Sequence, residues 1–154
     1  MDDISIFIGD IKFNFRVGLL IICDDKVLLE FEPNSSNSCL PGGRVKTGET
    51  TIKALKREIQ EEMHYNLKDN DVFLKGIVEN FFTIEDKKFH ELFYVYKMKI
   101  NKNHELFRDD LINYDSDNSY YKWIKYSDID KINFVPNNVK KWLLTDNLEV
   151  MTIK

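Results

Sequence analysis

Three glutamates crowd one flank of a short amphipathic segment, and no other feature of this chain constrains its fold as tightly. The stretch Gly42 to Tyr65, GGRVKTGETTIKALKREIQEEMHY, opens on a glycine pair after Leu40-Pro41 and closes just past Glu58, Glu61 and Glu62. At about 100° per residue, Ile52, Leu55, Ile59 and Met63 fall on one apolar stripe. Glu58 and Glu62 lie beside that stripe one turn apart, and Glu61 lies slightly further round, so the carboxylates border the core. Like charges at these spacings destabilise a helix by roughly 0.2–0.5 kcal/mol per pair. They also sit in the C-terminal half, where the helix dipole disfavours negative charge. A bound divalent cation reverses both effects, and hard carboxylate oxygens suit Mg²⁺ or Mn²⁺ better than Zn²⁺. For the glutamates alone, a solvated acidic helix face is the competing reading.

The full spacing adds to this. Gly43, five residues, Glu49, seven residues, then Arg57-Glu58-Ile59-x-Glu61-Glu62 resembles the Nudix box, with six identities and the aliphatic Ile59. Leu40-Pro41-Gly42 also fits the approach to that box. The resemblance is sharp over residues 40–65 and looser from Arg16 to Leu144. It implies an α/β/α sandwich with a mixed β-sheet between helices. It also implies a metal-dependent hydrolase that cleaves the diphosphate (pyrophosphate) bond of a nucleoside diphosphate linked to another moiety, by water attack on phosphorus. Under that resemblance Glu58 and Glu62 match the principal ligands of Mg²⁺ or Mn²⁺, with Glu61 assisting and the Gly42 carbonyl completing the shell. Arg57 and Glu49 match an ion pair that holds the loop around Gly43 against the helix, and a bidentate fork suits that task better than a lysine does. The family often takes a further acid from a later loop. Asp117, six residues before Trp123, is the first choice, with Asp115 and Glu105 behind it and Glu79 or Glu91 as more distant alternatives.

Two positions depart from the box. His64 stands where the family places a glycine that closes the helix, and Tyr65 replaces an aliphatic residue. Histidine is among the non-glycine residues enriched in the left-handed conformation, so His64 either closes the helix there or lets it run on to Asn66. Ser38 stands near the place of a tryptophan that often precedes the glycine pair. The alternative function is a non-catalytic Nudix-fold nucleotide-binding or sensor module. Such modules are expected to lose box glutamates, and all three are present here.

A chain of 154 residues is expected to form a single domain, 1–154. A net charge of −4 with no long basic cluster argues against nucleic acid or an anionic membrane as partner. The expected partner is a small nucleotide-type diphosphate; a homodimer stays open, as does an interaction scaffold that uses edge strands near Ile4 or Leu148. Two cysteines do not make a disulfide framework, no apolar run is long enough to span a bilayer, and Met1-Asp2-Asp3 lacks the basic flank of a signal peptide. A cytoplasmic location fits all three. Arg16 and Arg44 are candidates for phosphate contacts, and Phe81 and Phe82 for a base-stacking face, although each has an ordinary surface or core reading too.

The rest of the chain reads as strands and turns. Ile11 to Val17 alternates and then becomes solidly apolar through Cys23, as a strand moving from a sheet edge to its buried centre does. Asp24-Asp25 is expected to turn back into a strand over Lys26–Phe31, and Val72–Ile84 with Lys88–Ile100 into a second hairpin. Thr50 or Thr51 is expected to cap the box helix. Ser127 is expected to cap a turn. A last helix should carry Pro136 in its first turn with Val139, Trp142 and Leu143 on one face.

Overall fold

The apolar strand expected to end at Cys23 is the spine of the sheet in a computed structural model that describes residues 1–154. The elements in chain order are β1 (Ser5–Ile8), β2 (Ile11–Cys23), β3 (Lys26–Phe31), β4 (Asn37–Cys39), β5 (Gly42–Arg44), the helix α1 (Thr51–Met63), β6 (Phe73–Ile84), β7 (Lys87–Lys99), β8 (Tyr120–Lys125), β9 (Asn133–Phe134) and β10 (Glu149–Ile153). Short 3-10 segments occupy Asp69–Asp71, Tyr126–Lys131 and Asn137–Leu143.

One edge of β2 runs parallel to β7 from Ile11↔Lys88 to Ile22↔Lys99. Its other edge is shared by three antiparallel partners: β1 opposite Ile11–Asn14, β5 opposite Arg16–Gly18, and β3 at Ile22–Cys23. Beyond β7 the sheet continues through antiparallel β6 to parallel β10. Beyond the hairpin, β3 pairs with β8 and β4, and β4 with β9. The sheet is therefore mixed, and β5, which carries the glycine pair, is bonded directly to its spine.

Covering β2 on both faces explains its unbroken apolar run. Leu19 and Ile21 pack with Leu55, Ile59 and Met63 of α1 and with Tyr96 and Met98 of β7. Leu20 and Ile22 face the other way, towards Phe134, Val139 and Trp142. The result is a three-layer sandwich with α1 on one face and the 3-10 segments on the other. Thr50 is the residue that caps α1, accepting from the Lys53 backbone N–H. His64 closes the helix in the left-handed region, at φ 53° and ψ 34°, with its N–H on the Gln60 carbonyl.

The C-terminal helix differs from the sequence expectation. Asn137–Leu143 is a 3-10 segment, and Pro136 precedes it after a cis peptide bond. The end of the segment is fixed from β7. Lys97 is buried, and its Nζ donates to the carbonyls of Trp142, Leu143 and Thr145 at 2.9, 3.0 and 2.8 Å and pairs with Asp146 at 2.9 Å. Carbonyls turned onto an ammonium are not available to extend a regular helix. Val139, Trp142 and Leu143 are nevertheless buried together, as their spacing requires. Ser127 caps nothing, since no side chain bonds the start of Tyr126–Lys131.

Lys97→Met should leave those carbonyls without a donor. We expect a loss of about 3 kcal/mol, or roughly 6–12 °C in Tm, by thermal unfolding. Lys99→Met, at an exposed neighbour that also pairs with Asp146, should stay within about 0.5 kcal/mol. Equal effects of the two changes would refute the role given to Lys97.

Candidate active site

The box folds around Arg57. Its Nε and Nη2 form a fork on Glu49, at 2.7 Å to Oε1 and 3.0 Å to Oε2. Nη2 also donates to the Arg44 carbonyl at 2.9 Å, while Nη1 reaches Glu58 Oε1 at 2.8 Å and Glu61 Oε2 at 3.4 Å. The Lys46 N–H donates to Glu49 at 2.9 Å and ties down the loop. Hydrogen bonds from Arg57, with help from the Lys46 amide, hold the Glu49 carboxyl below its usual range, although burial opposes them. The paired glutamates in turn push Arg57 up. The expected pair is thus a buried-edge fork and not a loose surface contact.

The glycines allow the close approach. Gly42 sits at φ +145°, where a Cβ would lie 2.2 Å from the Val17 carbonyl oxygen. At Gly43 a Cβ would lie 2.4 Å from Cδ of Glu58. The strand therefore passes directly against the carboxylate, with no room for a side chain.

Glu62 is buried on the far side of the helix flank. Its Oε2 accepts from the Gly42 N–H at 3.2 Å and from the Tyr121 hydroxyl at 3.1 Å. Burial, then the nearby Glu30 carboxylate, pushes Glu62 up to about 8 against those two hydrogen bonds. Glu58 is raised too, first by burial, with Glu61 and Asp115 adding to it and Arg57 opposing. Glu30 is the functional-site residue that sequence reasoning missed. It is buried in β3, accepts from Asn113 Nδ2 at 2.5 Å, and is raised by burial. A charge at the inward position two residues after Leu28, in an otherwise apolar strand, was the available signal.

The donor set fits a hard divalent cation. Glu58, Glu61 and Glu62 offer only oxygens, and Glu62 sits desolvated among other carboxylates, where a cation removes the electrostatic penalty. The three do not converge into a finished cage. Arg57 holds Glu58 and Glu61, and Gly42 and Tyr121 hold Glu62.

A polar hollow of about 340 Å³, lined by Asp3, Asn14, Arg16, Gly43, Arg44, Glu58 and Glu91, opens beside the box. Arg16 pairs with Glu91 at 3.7 Å and lies over the Phe93 ring, and Arg44 pairs with Asp3 at 3.6 Å. Arg16 and Glu91 also line a second cleft of about 610 Å³ on the face away from α1, with Leu40, Phe82, Phe93 and the amides of Asn37, Asn80, Asn137 and Asn138. Phe82 faces this cleft, but Phe81 does not. Adjacent strand residues point to opposite faces, and Phe81 stacks on His90 instead, at 4.3 Å. Asp117 is exposed and its side chain makes no hydrogen bond or ion pair. Glu105 is likewise exposed, and Glu79 is occupied with Thr152. Asp115 is the loop acid whose charge reaches Glu58.

Without divalent cations, folded Glu62 keeps its proton up to about pH 8, whereas the unfolded chain loses it near the ordinary carboxylate range. The folded state binds the extra proton, so stability falls as pH rises through that window. Glu62→Gln does not titrate there. In metal-free buffer at about pH 8 it should melt at least about 2–4 °C above wild type, the equivalent of about 1 kcal/mol, and with a flatter pH dependence. Parallel pH profiles would contradict a desolvated carboxylate.

Comparison with known proteins agrees with this geometry. No curated protein sequence matches the chain. Among solved structures, the mutator MutT protein from Bacillus halodurans superposes with TM-score 0.71 at 23% identity, covering 90% of this chain and 88% of its own. The MutT Nudix hydrolase from Burkholderia pseudomallei follows at 0.63 and 20%, covering 86% and 98%. A C. elegans Ap4A hydrolase binary complex gives 0.56 and 20%, covering 84% and 92%. At such identities these likenesses speak for the fold. The family model for the NUDIX domain matches residues 12–143, and with the box assembled as described, the chain belongs to the Nudix hydrolase family.

Proposed function

We propose that this Nudix hydrolase cleaves the pyrophosphate bond of a nucleoside diphosphate linked to another group, using Mg²⁺ or Mn²⁺. The observation that carries the reading is the juxtaposition of a buried carboxylate, Glu62, and a half-buried one, Glu58, with a polar hollow that leads through Arg16 into a nucleoside-sized cleft. Glu58, Glu61 and Glu62 would hold the cation, with the Gly42 carbonyl beside them. A divalent ion bound there neutralises charge on the phosphate oxygens and makes water more acidic.

The chain's own groups do the rest. Arg57 orients Glu58 and Glu61 through one guanidinium nitrogen while the fork to Glu49 fixes that guanidinium. Arg16 and Arg44 line the hollow and meet the phosphates there. Phe82 and Phe93 offer aromatic surface in the cleft, and the four asparagine amides can read the polar edge of a base. A cleft of about 610 Å³ falls in the range of about 300–1,000 Å³ typical of small-molecule sites. We assign the loop acid, which orients water or holds a further ion, to Asp115 ahead of Asp117, since Asp115 follows Tyr114, whose N–H bonds the Glu62 carbonyl, and its charge is felt at Glu58. The catalytic unit proposed is the single domain 1–154, acting on a small nucleotide and not on nucleic acid. No helix is long and apolar enough to cross a membrane. The reading of a non-hydrolysing sensor has no observation in its favour, because every box carboxylate is in place.

Turnover of a nucleotide panel with Mg²⁺, with products identified, tests the reading. We expect a nucleoside monophosphate or diphosphate among the products. Glu62→Gln should lower kcat at least about a hundredfold at saturating Mg²⁺. Asp115→Asn should lower kcat about tenfold or more with little change in KM, and Asp117→Asn much less. Near-wild-type turnover by Glu62→Gln would sink the metal role, and a panel bound without cleavage would favour the sensor.

A further inference from the structure

The two residues that depart from the box, His64 and Tyr65, both reach the loop between β7 and β8. The His64 ring stacks on Tyr114 with centroids 3.8 Å apart and an interplanar angle of 8°. The Tyr65 hydroxyl lies 3.2 Å from His104 Nε2. His104 Nδ1 accepts the Leu106 backbone N–H at 3.1 Å, which leaves the proton on Nε2 and makes His104 the donor to Tyr65. A family glycine and an aliphatic residue at these two positions would make neither contact.

Tyr65 holds the start of the loop at His104, and His64 holds it at Tyr114, the middle of three successive residues that are fixed to their surroundings. The Asn113 side chain donates to Glu30, and its Oδ1 accepts the Asp115 N–H at 2.8 Å. The Tyr114 N–H donates to the Glu62 carbonyl at 2.9 Å, one of those the end of α1 leaves without a helical partner. Asp115 therefore starts one residue from a direct bond to the metal-box helix, and it is held from β3 on one side and from α1 on the other. Tyr114 remains half exposed, so the His64 stack does not bury a core residue. Its consequence is to fix where the loop lies.

We propose that His64 and Tyr65 are positioning residues that clamp the Asn101–Ser119 loop onto the end of α1 and so set Asp115 beside the box carboxylates. The proposal rests on the reading of Asp115 as the loop acid. His64 acts through Tyr114 and does not touch the substrate. Glycine at position 64 would relieve the left-handed backbone and so favour folding, which separates the clamp from simple helix closure: a residue that only closes the helix is replaced by glycine without loss.

The full chain carries the test. His64→Gly and Tyr114→Ala should each lower kcat about fivefold to twentyfold, with KM within about twofold. The double variant should be no worse than either single, because both break one contact. Tyr114→Phe keeps the ring and should retain wild-type kcat. In an Asp115→Asn background, His64→Gly should have no further effect. In the metal-free protein, amide exchange at Asn113–Asp115 should speed up in His64→Gly, while the buried amides of α1 keep their protection. If Asp115→Asn is impaired but His64→Gly retains both kcat and slow exchange, the clamp is wrong and the hydrolase reading stands. A change in Tm alone, with kcat and KM unmoved, also overturns it. A neutral Asp115→Asn overturns the loop-acid assignment and the clamp's purpose with it, whereas loss of the hydrolase reading itself would appear as an unaffected Glu62→Gln.

Discussion

Arg57 uses its planar fork to tie three pieces of chain to one another. Two nitrogens hold Glu49 in the loop, one of them also takes the Arg44 carbonyl in β5, and the third holds Glu58 and Glu61 of its own helix. Lysine offers a point charge and cannot satisfy these directions together. The glycine pair, β5 and α1 are thus fixed to a common frame, and β5 is fixed to the spine strand β2. The close passage of Gly43 over Glu58 is meaningful only because that frame is rigid. A loose loop would relax away from a carboxylate that leaves no space for a Cβ.

That frame holds together charges that repel. Glu62 and Glu30 are both buried and both raised by burial, and Tyr121 and Asn113 supply the hydrogen bonds that make their burial tolerable. Isolated buried charges of one sign are costly. Here the cost is concentrated at one point beside Glu58 and the polar hollow, where the proposed divalent cation offsets it. On the proposed reading, stability lost to these buried carboxylates would return as affinity for the ion, a trade found where sites are built at the expense of local stability.

Much of this was legible in the sequence, for identifiable reasons. The solid run Leu19–Cys23 had to be covered on both faces, and the stripe Ile52, Leu55, Ile59 and Met63 had to face a core. The resemblance to the box implied the pairing of Glu49 with Arg57, and the fork between them is present. What escaped depends on partners far away in sequence. Periodicity grouped Val139, Trp142 and Leu143 correctly but could not reveal that Lys97, over forty residues earlier, would take the carbonyls of Trp142 and Leu143. Strand alternation guaranteed that only one of Phe81 and Phe82 would face the cleft, but not which. Asp117 has the better position counted back from Trp123. The path of the loop follows Asn113 on Glu30 and Tyr114 on His64, and it is this path that favours Asp115 as the proposed loop acid. Glu30 was hidden because a strand charge reads as an edge feature until its neighbours are known.

The two faces of β2 explain why the reaction class was easier to read than the substrate. Chemistry-bearing side chains lie towards α1, within one contiguous stretch whose internal geometry is fixed by helix and turn. The cleft lies on the opposite face, assembled from Arg16, Leu40, Phe82, Phe93 and residues near Asn37 and Asn137, which come from five separate segments. Arg16 is common to both the hollow and the cleft, placed on β2 exactly opposite Arg44 of β5 in the register. Residues of the cleft can therefore change without disturbing the Arg57 frame, and the frame can be kept while the recognised group varies. The departures at His64 and Tyr65 extend the same logic to the third wall. There the adjustment is made in how the acidic loop is held against α1, leaving the carboxylates themselves untouched.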